Sequence, residues 1–302
     1  MTIDFKDKVA IVTGAGGGLG RSHALELSKR GAKVVVNDLG GSVDGSGGSS
    51  EAAEKVVKEI ISSGGQAISN GSSVTDDKGV KLMIDQTINE YGKIDILINN
   101  AGILIDKSFS KMEINDFEKV LNVHLLGSVK PTKAVWEIMK EQNYGRIIVT
   151  SSSSGLYGNF GQTNYGAAKL GLVGFMNTLK LEGQKYNVHV NALTPVAYTR
   201  MTANLMPPEA ENLLTPESVT PAAIYLVSDE APNGIILCAG AGVYSVSKIM
   251  ESDGLSLGLN ATAEDIVNNW EKISNFDDAK AYNMGGEQTG KVFEKAMETI
   301  EK

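Results

Sequence analysis

Short apolar runs alternate with helical stripes along most of the chain. Val9-Ala10-Ile11-Val12 is an unbroken apolar run stopped by glycines. Val34-Val35-Val36, residues 94–98, Arg146-Ile147-Ile148-Val149-Thr150, residues 188–193 and Ile235-Ile236-Leu237-Cys238 continue the series. Such runs do not alternate apolar with polar, so they read as strands buried on both faces. Between them, Ala53, Val56, Val57, Ile60 and Ile61 fall on one helical face, as do Val80, Met83, Ile84, Thr87, Ile88 and Tyr91. Strand and helix in repetition predict an α/β fold: a Rossmann-type doubly wound parallel sheet of about seven strands with helices on both faces. The Gly/Ser-rich stretch 40–50 predicts a mobile loop after the second strand. After about residue 243 the strand rhythm stops, and Ala263, Ile266, Val267, Trp270 and Ile273 form one helical stripe. This predicts one domain over 1–302, with a core over 1–242 and a helical C-terminal extension over 243–302.

Composition narrows the function. The 302 residues are 42% hydrophobic, enough for a sizeable core. The net charge of -8 argues against a nucleic-acid surface, and leaves any anion site to local geometry. No apolar run of about 18 residues predicts a membrane span, and the first residues read as no signal segment. The end, Ile300-Glu301-Lys302, lacks a Ser-Lys-Leu address. A single cysteine, Cys238, excludes an internal disulfide and fits a reducing compartment. The three histidines have no ligand spacing, so no metal site is expected.

Candidate chemistry starts at Thr13-Gly14-Ala15-Gly16-Gly17-Gly18-Leu19-Gly20, which follows the first strand and opens a helix. Glycines there allow a tight turn and close approach of backbone to a pyrophosphate, and the helix start adds amide donors. Asp38 lies eighteen residues beyond Gly20, directly after the second strand. A carboxylate there accepts both adenosine ribose hydroxyls and repels a 2'-phosphate, so NAD is favoured over NADP. Otherwise Asp38 is a plain turn residue.

Tyr165 and Lys169 stand four apart on a predicted helix and project from one face. A phenol with a pKa near 10 is a poor base at neutral pH, and an adjacent ammonium is expected to lower that value. The pair can then exchange a proton with an alcohol as hydride leaves. Ser152, thirteen residues earlier at a strand end, can hold the substrate oxygen. The alternative for Ser152 is one turn residue among Ser151 to Ser154.

The glycine turn, Asn99-Asn100-Ala101-Gly102, Ser152, Tyr165 and Lys169 together resemble the short-chain dehydrogenase/reductase family over roughly residues 5–242. The resemblance implies that NAD is held by Gly14, Gly18, Leu19, Gly20, Asp38, Asn100, Ala101 and Gly102, and by Tyr165 and Lys169 at the nicotinamide ribose. Ser73-Val74 stands where the family commonly has Asp-Val at the adenine. Pro195-Val196 stands for the usual Pro-Gly in a loop whose Pro195, Ala197 and Thr199 are implied in cofactor binding. His124 aligns with an Asn that completes a proton relay. It either holds the relay water or is a structural helix histidine.

Within the family, Asn37-Asp38-Leu39-Gly40-Gly41 and its glycine-rich insertion, Gly155-Leu156-Tyr157-Gly158-Asn159-Phe160-Gly161-Gln162 and Asn269-Trp270-Glu271-Lys272-Ile273 look like the (3R)-hydroxyacyl-CoA dehydrogenase units of peroxisomal multifunctional enzymes type 2. That subfamily carries His at 124 and Ser-Val at 73–74. The likeness implies NAD-dependent oxidation of a (3R)-hydroxyacyl-CoA in fatty-acid β-oxidation by a homodimer. It places the chain in the peroxisome, or in the cytoplasm if the chain stands alone. The subfamily's Trp- and Arg-rich stretch is replaced by Val243-Tyr244-Ser245-Val246-Ser247-Lys248. Met201, Leu205, Met206 and Leu213 are placed either to cap an acyl chain or for ordinary helix packing. Two other functions fit less well: oxidation of a steroid or other hydrophobic alcohol, and dinucleotide sensing without turnover, which would not need Ser152, Tyr165 and Lys169 together.

Overall fold

A computed structural model of the chain describes residues 2–202 and 207–300. It divides into two compact units, Met1–Val246 and Ser247–Lys302. The first is built on an eight-stranded sheet of order β3-β2-β1-β4-β5-β6-β7-β8. Its strands are β1 (Val9–Thr13), β2 (Lys33–Asn37), β3 (Gln66–Asn70), β4 (Ile96–Asn99), β5 (Gly145–Thr150), β6 (Val188–Pro195), β7 (Ile236–Gly240) and β8 (Val243–Ser247). The registered pairs from β3 across to β7 are all parallel. Residues of α1 (Gly18–Lys29), α2 (Glu51–Ser62) and α8 (Pro216–Leu226) pack in one apolar cluster. Residues of α3 (Asp77–Tyr91), α5 (Gly127–Glu141) and α7 (Thr163–Gly183) pack in another. Val34 and Val36 belong to the first cluster and Val35 to the second, so the strand buries both faces. This is why the sequence runs apolar throughout.

Two strands lie outside the apolar series. Gln66-Ala67-Ile68-Ser69-Asn70 forms the edge strand β3 despite its polar composition, because five residues pair with β2. The sheet continues past residue 243, contrary to the expected stop and to the count of about seven strands. β7 turns into β8 through Ala241 and Gly242, both at positive φ (49° and 75°). That is the backbone of a type I′ hairpin turn. Ala-Gly is a weak sequence signal for it, since alanine rarely accepts that conformation.

The second unit holds α9 (Ala263–Asn268), α10 (Trp270–Ile273) and α11 (Gly285–Ile300). The expected stripe is helical but breaks at Asn269 between α9 and α10. A Thr262–Asp265 capping box starts α9. Ion pairs from Lys291 to Glu251 and from Lys295 to Asp253 tie α11 to residues 251–253. None of the described residues 247–298 is buried, and Trp270 is 60% exposed.

Both predicted carboxyl-end sites converge where β1 and β4 lie side by side. There the chain winds away in opposite directions, and a crevice opens beyond the strand ends.

Candidate active site

The glycine turn leaves β1 with Gly14 at φ +62°, a conformation glycine takes without strain. A side chain at Gly14 would also meet the Ala101 backbone at 2.7 Å, and one at Gly20 would collide with the Gly14 carbonyl. Asn100 donates from Nδ2 to the carbonyls of Thr13 and Gly14, both at 3.0 Å. Its backbone amide and that of Ala101 donate to Thr13 Oγ1. Asn100 therefore locks the turn rather than simply lining a ligand surface.

Asp38 follows β2. Its Oδ2 accepts from the Gly16 amide at 2.7 Å and its Oδ1 from the Gly40 amide at 2.6 Å. Buried Asn37 donates to Asn70 Oδ1 and the Ser72 carbonyl, setting the strand after which Ser73 and Val74 stand. The insertion 40–50 is a loop with its own turn. Asp44 accepts from Ser42 Oγ and from the amide and hydroxyl of Ser46. These bonds hold its carboxyl down to about 2. The Leu104 amide donates to the Val43 carbonyl, bringing the loop over residues 103–104.

A cavity of about 610 Å³ results, lined among others by Gly14, Gly18, Leu19, Asp38, Ser73, Val74, Asn100, Ala101, Gly102 and Thr199. Ten of the expected cofactor residues thus meet in one space. Gly20 does not line it and acts by letting the helix approach the turn. Pro195, the last residue of β6, Ala197, Tyr165 and Lys169 do not line it either. Ala197 is buried, and its carbonyl accepts from Thr202 Oγ1. The patterns did not single out Val43, Ile103, Lys119 or Asn122, which share the lining; the first two lie in loops, and the others at the end of α4 (Ile114–Leu121) and the start of a π-helical turn (Asn122–Leu126), where no apolar stripe marks them. Glycine-framed backbone and a carboxylate at the ribose position fit a dinucleotide.

The second group sits beside the cavity. Ser152 caps the short helix α6 (Ser153–Tyr157) in extended backbone, its Oγ accepting from the Ser154 amide at 3.2 Å. Its side chain lies near enough to the Tyr165 phenol to draw the phenol pKa down. Lys169, one turn further along α7, is buried and donates to the Thr150 carbonyl at 2.5 Å, with Nζ 5.3 Å from the Tyr165 ring centre. The three residues expected to act together are therefore together.

Their electrostatics differ from the simple expectation. Burial pushes the Tyr165 phenol up to about 12; the Ser152 side chain pulls the other way, and Asp106 adds to the rise. Burial brings Lys169 down to about 7. Desolvation disfavours both charged forms and outweighs the mutual attraction that the spacing predicts.

His124 lies in a one-turn π-helix over Asn122–Leu126, between α4 (Ile114–Leu121) and α5. Such bulges cluster at functional sites. Its ring stands edge-on to Tyr165 at 5.0 Å. Burial first, and Lys169 second, hold its pKa well below the usual histidine range, so the ring is neutral. Nε2 lies 2.7 Å from the Ile103 carbonyl and 3.1 Å from the Ile103 amide, so one tautomer donates to the first and the other accepts from the second. Nδ1 is buried with no protein partner. A buried polar nitrogen without a protein partner, in a polar site, is where an ordered water belongs.

Of the proposed acyl-chain residues, Met201 lines the dinucleotide cavity and Leu213 is 67% exposed. Leu205 and Met206 lie outside the described residues. Among the described residues, no helix is long and apolar enough to cross a membrane.

This fold and this site define a class of oxidoreductase, and comparison agrees: the short chain dehydrogenase family model matches residues 8–210, and the chain belongs to that family. The relatives include peroxisomal multifunctional enzyme A of Dictyostelium discoideum, 49% identical over 92% of this chain and 62% of its own length. The full-length peroxisomal multifunctional enzyme type 2 of Drosophila melanogaster matches in structure with a TM-score of 0.82 and 36% identity, over 98% of this chain and 50% of that one. The chain thus spans between half and two thirds of these relatives. A 7α-hydroxysteroid dehydrogenase complexed with NADH and 7-oxo glycochenodeoxycholic acid matches with a TM-score of 0.71 and 28% identity, over 79% of this chain and 95% of that one.

Proposed function

We propose that the chain is an NAD-dependent dehydrogenase that oxidises the hydroxyl of a (3R)-hydroxyacyl-CoA to the ketone, in the setting of peroxisomal fatty-acid β-oxidation and as a homodimer. The observation that carries the proposal is the convergence of Ser152, Tyr165 and Lys169, with Lys169 Nζ 5.3 Å from the phenol ring, beside a glycine-framed cavity with Asp38 on its wall. The likeness to multifunctional enzymes over 92–98% of the chain supports the substrate class and supports treating 247–302 as part of the same dehydrogenase unit.

The glycine turn and Asp38 would hold NAD, which would supply the hydride acceptor. Ser152 orients the substrate oxygen. Tyr165 takes the hydroxyl proton during oxidation and returns it during reduction. At about 12 the phenol is protonated at neutral pH, ready for the reductive direction. Oxidation needs positive charge close by to stabilise the phenolate, and a protonated Lys169 provides it. His124, neutral and with Nδ1 unpartnered, is suited to hold the water through which Lys169 regains its proton.

A steroid or other hydrophobic alcohol is the second substrate class, favoured by the match to a hydroxysteroid dehydrogenase. Steady-state NADH formation across (3R)- and (3S)-hydroxyacyl-CoA chains and steroid alcohols separates the two. Turnover of the (3R)-acyl-CoA series is expected, and preference for a steroid would overturn the substrate assignment. Sedimentation of the purified chain checks the dimer.

A further inference from the structure

Gln162 is the residue before α7, three before Tyr165, and is 5% exposed. Both ends of its side-chain amide are engaged. Nε2 donates to Asp106 Oδ2 at 2.7 Å, while Oε1 accepts from Ser154 Oγ at 2.7 Å and from Asn159 Nδ2 at 3.2 Å. Ser154 in turn donates its amide to Ser152 Oγ. An exposed carboxylate is therefore linked through Gln162 to the Ser154 side chain, and the backbone amide of that same residue holds Ser152 Oγ.

We propose that Asp106 and Gln162 are positioning residues that anchor Ser154 and, through its amide, the place of the Ser152 hydroxyl beside Tyr165. The inference rests on the assignment of Tyr165 and Ser152 above. An amide is nearly symmetric in shape, and only its surroundings decide which end points where. An ionised carboxylate accepts and never donates, so Asp106 must face the NH2 end. The carbonyl end then faces inward, and the Ser154 hydroxyl must be a donor to it. Ser154 can offer Ser152 only its amide, which occupies one acceptor position on Oγ. The Ser152 hydrogen is left to point toward the phenol or a substrate oxygen. The neighbouring backbone is fixed in the same place: Asn164 donates from Nδ2 to the Ile105 carbonyl, and the Lys107 amide donates to the Gly161 carbonyl.

Asp106 also acts through its charge. The ionisable groups around the Tyr165 phenol are Lys169 on its own helix, neutral His124 from the π-helical turn and Asp106 from the 100–108 loop. The adjacent Lys107 is paired with Asp116 at 2.6 Å. Asp106 is the anion of this set and opposes phenolate formation. Its removal favours the base form, so activity in oxidation should extend to lower pH.

Two measurements test this, one independent of turnover. In protein labelled with ¹⁵N-glutamine, the side-chain amide signal of Gln162, assigned by its loss in Gln162→Leu, should shift with pH along one carboxylate titration. That titration should vanish in Asp106→Asn, while Asp106→Glu keeps it. In oxidation, the acidic limb of kcat/KM should move to lower pH in Asp106→Asn and stay in place in Asp106→Glu. Gln162→Leu should lower kcat/KM by about tenfold. An amide signal indifferent to pH, or unchanged by Asp106→Asn, overturns the proposal whatever the substrate. So does a titrating signal paired with a kcat/KM limb that does not move. A wild-type chain that forms no NADH from any alcohol contradicts the functional assignment instead, and the amide titration still decides whether Asp106 holds Gln162.

Discussion

The two halves of the site are built from different materials. The dinucleotide half is mostly backbone: glycines, amides and one carboxylate held by two of those amides. The catalytic half is side chain: a serine, a phenol and an ammonium, with a histidine beside them, all removed from water far enough to displace the ionisations of the last three. Backbone recognition tolerates little added volume but is indifferent to pH. Side-chain chemistry tolerates isosteric change in shape but depends on each proton. The halves should therefore fail in different ways.

The sharpest break is Tyr165→Phe, which leaves the ring and removes the proton carrier. NADH formation should fall by about 10²–10⁴-fold, the usual range for a general acid–base group, while calorimetric NAD affinity stays within about threefold because the residue does not line the cavity. Gly20→Val attacks the other half. Its side chain would be driven against the Gly14 carbonyl and Asn100 Nδ2, at a cost of about 1–3 kcal/mol for overpacking. Thermal melting should show a lower Tm, and NAD binding should weaken in parallel with activity. Asp38→Ala is narrower: NAD affinity should fall by about tenfold, the worth of a charge-assisted hydrogen bond, and use of NADP should improve. Unimproved NADP use would show that Asp38 is a turn residue only. The smallest effect is expected for His124→Asn, which keeps an acceptor at that place; kcat should drop by less than about tenfold. A larger loss would give the imidazole a role beyond holding a water.

The same division explains what the sequence made legible. Continuous apolar strands, helical stripes, a glycine turn and a Tyr/Lys pair at four residues are short-range patterns. They located six strands, the doubly wound sheet and the Ser152–Tyr165–Lys169 group. The polar edge strand β3 carries no apolar signal, because pairing to β2 rather than burial makes it a strand. β8 depends on a turn in which alanine takes positive φ. The expected lowering of the Tyr165 pKa fails because spacing says how near Lys169 lies but not how dry the site is. The Asp106–Gln162 contact joins residues 56 apart through a loop, and no periodicity announces it. In the second unit, the apolar stripe fixed helical spacing but not burial, since Ile266, Val267 and Trp270 are all exposed.

The claim that proton exchange runs through the Tyr165 phenol is tested most directly by the pH dependence of kcat/KM for alcohol oxidation, measured side by side in the wild-type chain and Tyr165→Phe. The wild-type rate should rise with pH through one ionisation, and the residual rate of the variant should be flat over the same range. The same rising limb in both would contradict the account.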